Sequence, residues 1–153
     1  LLQSYSSNVS KRLRKSPKIY WRDSGLLHAL MQVSDMDDLF AQPWVGASWE
    51  GFVIEQIISA LKTADKLFTP YYFRTADQHE IDLVLDCGRK VIAIEVKLTS
   101  APDTDDAARL KKAAQLIGAT QSILVSRTDS PVFTDLFVSC DLPRTIQHLL
   151  DTL

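Results

Sequence analysis

The chain has 153 residues, is 46% hydrophobic and 24% charged, and carries a formal net charge of -2. That length allows one domain with its own core, and the slightly acidic balance excludes nucleic-acid recognition by overall charge while leaving room for a narrow basic groove. No apolar run approaches the ~20 residues of a membrane span and no signal-peptide pattern is read; Cys87 and Cys140, with no metal-like spacing, read as free thiols of a reducing, cytoplasmic compartment.

The chain opens "LLQSYSSNVSKRLRK", without a methionine, which reads as a start inside a longer protein. Residues 1–18 carry Lys11, Arg12, Arg14, Lys15 and Lys18. Such a run is either a solvated linker or a phosphate-contacting arm. Ile19 and Tyr20 suit a short strand. Asp23 or Ser24 suits the cap of a helix over about 25–32, and "SDMDDLF" a short helical piece. "GASWEGFVIEQIISALKTA" is the clearest helix: Trp49, Phe52, Val53, Ile57, Ile58 and Leu61 recur at helical steps.

Three strands are expected next: Tyr71 to Arg74, "EIDLVLD" from Glu80, and "VIAIEVKL" from Val91, with Cys87-Gly88-Arg89 as the tight connection between the last two. "DTDDAARLKKAAQLIGA" predicts a helix opened by acidic residues and closed by Gly118. "QSILVS" reads as a buried strand, a further strand is expected near Leu136 to Ser139, and Pro143 suits the first turn of a closing helix. The order predicts an α/β domain over 19–153 with one central mixed sheet.

The chemistry concentrates in "EIDLVLDCGRKVIAIEVKLTS". Strand side chains alternate faces. Ile81, Leu83 and Leu85 are expected on one face, with Glu80, Asp82 and Val84 opposite. Glu95 and Lys97 likewise oppose Ile94 and Val96, and Lys97 lies about 6.6 Å beyond Glu95 by strand rise. Neighbouring strands would bring Asp82 and Glu95 to one side. Two close carboxylates repel unless a cation separates them, and an oxygen-only set suits Mg²⁺ or Mn²⁺. A lysine beside such a site can orient or deprotonate a water, or neutralise a phosphate. The plain alternative is a Glu-Val-Lys triplet that makes a sheet face soluble. Glu50 either favours the helix dipole or reaches over the sheet to complete the site. Glu55 is five residues on, about 500° of helical turn, so both cannot point at one place.

The order Glu50 on a helix, Asp82 on a strand, Glu95-x-Lys97 on the next strand, then helix and strand, resembles the PD-(D/E)xK nuclease superfamily, the restriction-endonuclease-like fold. "GASWE" is similar to the Gly-to-Glu helix start of its Holliday-junction resolvase members. "KSPKIYWRDSGLLHAL", "WEGFVIEQI", "YYFRTADQHEIDLVL" and "IAIEVKLTS" in succession look more closely like DUF4143, the C-terminal domain of many bacterial and archaeal ATPases of the AAA+ type, over about residues 15–150. The resemblance implies an N-terminal ATPase domain in cis, with 1–18 as the linker from it. It implies Asp82, Glu95 and Glu50 around Mg²⁺ or Mn²⁺, and Lys97 positioning the water. Ile81 stands where the superfamily's name has proline. Glu80 adds a carboxylate, as a ligand or as a partner for Arg74. Gln115 is similar to a glutamine of RecB-like nucleases, but the aromatic expected after it is missing.

No Gly-x-x-x-x-Gly-Lys loop and no Ser/His/Asp or Cys/His arrangement is read, and His28, His79 and His148 are scattered. Trp21, Trp44, Trp49, Tyr71, Tyr72 and Phe73 are expected to pack in the core. Two functions remain open. One is a Mg²⁺-dependent DNA endonuclease domain, with Lys11, Arg12, Arg14, Lys15, Lys18, Arg74, Lys111 and Lys112 contacting phosphates. The other is an inactive nuclease-fold module that binds DNA or a protein and regulates the ATPase.

Overall fold

A computed structural model describes residues 1–5 and 16–153. Short acidic side chains start most of its helices by accepting backbone N–H groups that have no partner within the helix. Asp23 caps α1 (Ser24–Leu30) and Asp35 caps α2 (Met36–Ala41). Asp103 accepts from the Asp106 N–H at 2.7 Å to open α4 (Thr104–Leu116), and Asp141 caps α5 (Leu142–Thr152), with Pro143 in its first turn. The long α3 (Val45–Thr63) starts at Trp44 without a side-chain cap. Its stability comes from the face it buries rather than from its ends.

Among the described residues seven strands form one mixed sheet. They are β1 (Gln3–Ser4), β2 (Thr69–Arg74), β3 (Glu80–Asp86), β4 (Val91–Val96), β5 (Gln121–Val125), β6 (Val132–Phe133) and β7 (Phe137–Cys140), in spatial order β1-β2-β3-β4-β5-β7-β6. β2, β3 and β4 run antiparallel, and α4 then crosses over so that β5 joins β4 in parallel. The central strands are covered on both faces. Leu83, Leu85, Ile92 and Ile94 pack with Val53, Ile54, Ile57 and Leu61 of α3. Val84, Ala93 and Leu124 pack with Leu110, Ala113 and Ala114 of α4. Each such Leu or Ile contributes roughly 1.5–3 kcal/mol by leaving water.

Several expectations need correction. Gln3–Ser4 pairs with Tyr71–Tyr72 and Leu2 is buried, so residues read as linker belong to the sheet. Ile19 and Tyr20 form no strand; Lys18 makes an isolated bridge to Leu2. Ile81 packs with Val84 and Ala93 rather than with Leu83 and Leu85, because the β2–β3 register slips between them. The buried stripe of α3 includes Gly51 and Ile54, whereas Trp49 and Phe52 are half-buried. Trp21 is 58% exposed. The tail after β5 holds two strands, β6 and β7, where one was expected. Among the described residues no helix is long and apolar enough to cross a membrane.

Gly118 ends α4 with φ of +66°, and the Ala119 N–H returns to the Ala114 carbonyl at 3.0 Å. An added Cβ there meets nothing within 4 Å, so the cost of Gly118→Ala is conformational alone. We expect it to lower stability by about 1 kcal/mol, or ~2–4 °C in Tm for a domain this size. Gly46→Ala, equally uncrowded but in a helix, should raise Tm. Two thermal melts check the opposite signs.

Candidate functional site

Three elements meet at one end of the β3–β4 pair. Leu83 pairs with Ile94, and one further step places Asp82 opposite Glu95. On the other side of β3, Val84 pairs with Tyr71 but Ile81 pairs with Phe73. Asp82 and Leu83 therefore both stand against Tyr72. A bulge of this kind re-aims a side chain. Asp82, only 6% exposed, accepts the Val96 N–H through Oδ2 at 2.9 Å, a side chain doing the work of a strand carbonyl.

Glu50 comes from α3. It lies not at the helix start but in its second turn, on the stripe 50, 53, 54, 57, 58 and 61 that faces the sheet. The Tyr20 hydroxyl donates to Glu50 Oε1. The Tyr20 ring lies against Gly51, where an added Cβ would come within 3.3 Å of it, so the small residue admits the tyrosine. Lys18 closes the cluster. Its ammonium contacts Glu80 and lies 3.3 Å from Glu50 and 3.6 Å from Asp82. Glu80 also faces Arg74 at 3.8 Å.

Lys97 continues the line of β4. Its Nζ is 3.0 Å from Glu95 Oε1 and 4.0 Å from Asp106 of α4, which also pairs with Arg109 at 2.7 Å. The second oxygen of Glu95 is buried with no hydrogen-bond partner among the described residues. Buried carboxylate oxygens normally have one.

Electrostatics follow from burial and crowding. Burial pushes the Asp82 carboxyl well up, and the charges of Glu95 and Glu50 push it further, against the pull of the Val96 N–H and Lys18. Burial also raises Glu95, and Lys97 only partly offsets it. Burial works against both ammonium groups, but Glu80 and Glu50 around Lys18, and Glu95 and Asp106 around Lys97, outweigh it and raise both. Lys97 is therefore charged at neutral pH. It can orient a water or neutralise a phosphate, but in this state it is no proton acceptor.

The structure brings Asp82, Glu95, Lys97 and Glu50 into one cluster, with Glu80 as a partner of Lys18 and Arg74. Glu55 points away to Arg22. Lys18 is engaged by carboxylates instead of being offered to a phosphate. Lys111 lies over the Phe137 ring at 4.4 Å and Lys112 is exposed on α4, as is Gln115. Lys11, Arg12, Arg14 and Lys15 lie outside the described residues. Sequence reasoning missed Tyr20 and Asp106 at the site. The two-residue spacing of Lys18 and Tyr20 in an extended segment was a signal that both point one way. Apolar hollows of about 280 and 330 Å³ beside α1 have no carboxylate in their walls and are not where this chemistry sits.

As arranged, no three Asp, Glu, His or Cys side chains among the described residues are set to hold a metal ion. The donor set still fits a hard divalent cation. Glu50, Asp82 and Glu95 supply only oxygens, and the unpartnered Glu95 oxygen is one that a cation would satisfy.

Asp82 and Glu95 have carboxyls raised above their ordinary values of 3.8 and 4.5, so the folded chain holds protons that the unfolded chain releases. Their contribution to stability is full below the ordinary carboxylate range and is lost as pH rises through the raised values. Asp82→Asn should therefore raise Tm at pH 7, by ~2–4 °C if it relieves about 1 kcal/mol. The gap should close toward pH 4. Melts across pH 4–8 that show the same dependence in both proteins would refute this.

Residues 45–143 match the sequence profile of a domain of unknown function, DUF4143. Residues 1–37 match a second domain of unknown function, DUF8612. Two curated relatives, uncharacterised proteins of Mycobacterium bovis and Mycobacterium tuberculosis, are each 45% identical over 101 residues. That match covers 66% of this chain and 22% of each relative. With helix α3, strands β2 to β7 and the residues Glu50, Asp82, Glu95 and Lys97 inside the matched span, the chain belongs to the DUF4143 family.

Proposed function

We propose that the chain is a PD-(D/E)xK-type, Mg²⁺- or Mn²⁺-dependent domain that cleaves DNA, and that it forms the C-terminal part of an AAA+ type ATPase. The observation that carries this reading is the convergence of Glu50, Asp82 and Glu95 from three elements, with Lys97 3.0 Å from Glu95. Glu50, Asp82 and Glu95 would hold the cation. Bound there, a divalent cation supplies charge stabilisation for the phosphodiester transition state.

The chain's own groups do the rest. Lys97, held as an ammonium by Glu95, would donate to the attacking water and fix its lone pair toward phosphorus. Its charge also faces the phosphate oxygens. Tyr20 holds Glu50 in place. One mixed sheet that carries the site between helices on both faces supports the same reading at the level of fold.

A second reading is favoured by the Lys18 ammonium among Glu50, Glu80 and Asp82. A permanent ammonium there would make the domain a binding module that regulates the ATPase. Plasmid cleavage with Mn²⁺, by the full-length protein, separates the two. Asp82→Ala and Lys97→Ala should each lower the cleavage rate at least 100-fold, with the fold intact by circular dichroism. Cleavage at the wild-type rate by either variant rejects the catalytic assignment. Absence of cleavage by the wild type favours the binding module.

A further inference from the structure

We infer that Lys18 is a built-in occupant of the cation site, and that a divalent metal ion binds only by displacing its ammonium from Glu50, Glu80 and Asp82. This rests on the metal-site reading above and adds a regulatory contact to it. The ammonium lies 3.3 Å from Glu50 and 3.6 Å from Asp82 and also contacts Glu80. No metal could share that space at coordination distances of about 2.0–2.1 Å.

Charge balance says why the exchange is favourable. Four carboxylates, Glu50, Glu80, Asp82 and Glu95, face two ammonium groups, Lys18 and Lys97. Counted with Arg74 beside Glu80 and with Asp106 and Arg109 beside Lys97, the described carboxylates, when all are ionised, exceed the described cations by one in a largely buried cluster. A divalent ion in place of Lys18 removes that excess.

Mobility says why Lys18 is the group that leaves. Asp82 and Glu95 are fixed on central strands, and Glu50 is fixed on the inner stripe of α3. Lys18 sits in a segment outside any strand, tied to Leu2 by two backbone hydrogen bonds of 2.9 and 3.0 Å. Its four-carbon arm can carry the ammonium to water without moving the backbone. The apparent metal affinity is then the intrinsic affinity multiplied by the small fraction of molecules with Lys18 withdrawn.

The test is Mn²⁺ binding to this chain, followed by calorimetry and by loss of the free-ion resonance signal. Lys18→Met keeps the stem and removes the charge. It should bind Mn²⁺ at least ten-fold more tightly than the wild type, and Asp82→Asn added to it should abolish the gain. A Lys97→Met control, which removes a neighbouring charge without clearing the space, should not gain ten-fold. Equal gains from the two lysine variants would mean that only net charge matters and would overturn the displacement. An Asp82-dependent site with the same affinity in wild type and Lys18→Met would overturn it while leaving the metal site standing. Absence of Mn²⁺ binding in every variant would remove the metal site and the displacement together. Should Lys18→Met fail to fold, the wild type suffices. Saturating Mg²⁺ should abolish the protected Lys18 Nζ signal in nitrogen-edited spectra, and a signal that persists with metal bound refutes the proposal.

Discussion

A carboxylate placed in the middle of a sheet dominates this molecule. Asp82 is almost wholly buried, opposite another carboxylate across the β3–β4 pair. A buried charge is costly unless it is paired and hydrogen-bonded, and a like-charged neighbour adds to the cost. Everything around Asp82 can be read as compensation. The β3 bulge lets its side chain accept a strand N–H. Lys18 lies 3.6 Å from Asp82, and Lys97 pairs with the nearby Glu95. The Tyr20 hydroxyl takes up an oxygen of Glu50 that would otherwise add to the crowding.

The compensation is incomplete, and that makes it informative. Among the described residues the cations do not balance the carboxylates, and Glu95 keeps an oxygen with no partner. A fold selected for stability alone would place apolar residues here, since replacing buried ion networks with well-packed side chains is often stabilising. The flanking residues Leu83, Leu85, Ile92 and Ile94 show that the same strands can supply such residues, all essentially inaccessible to solvent. A core this well packed can carry a destabilised site, and local strain of that kind collects at functional positions.

Much of this was legible in the sequence, for reasons that differ by element. The alternation in "VIAIEVKL" fixes which residues flank Glu95 and Lys97, and the β4 register agrees with it. The same rule fails on β3 at Ile81, because alternation assumes an unbroken ladder and the extra residue at Asp82–Leu83 breaks it. On α3 the hydrophobic pattern admits two overlapping stripes. Counting from Trp49 hides Glu50 at the edge, whereas counting from Glu50 itself gives 50, 53, 54, 57, 58 and 61, the face that is buried. The Lys18 contact could not be read from spacing, since it joins Glu50 and Asp82 across 32 and 64 positions of chain. Charge-run reasoning left Lys18 to solvent or to a phosphate, whereas the structure sets it among carboxylates.

The position of Lys18 gives the site a connection that the central strands lack. Glu50, Asp82, Glu95 and Lys97 lie within the span matched to DUF4143, whereas Lys18 and Tyr20 lie within the span matched to DUF8612. The segment around Lys18 pairs with Leu2, and Gln3–Ser4 pairs in turn with β2, so this part of the chain lies along the sheet edge that leads to Asp82. Linkage works in both directions. Under the displacement proposed above the Leu2–Lys18 pairing stays in place while the ammonium leaves, so whatever holds the ammonium among the carboxylates weakens a competing cation by the same factor. A cation bound there favours the withdrawn side chain to the same extent. The acidic cluster thereby joins residues of the central sheet to the N-terminal matched span through the Lys18 side chain.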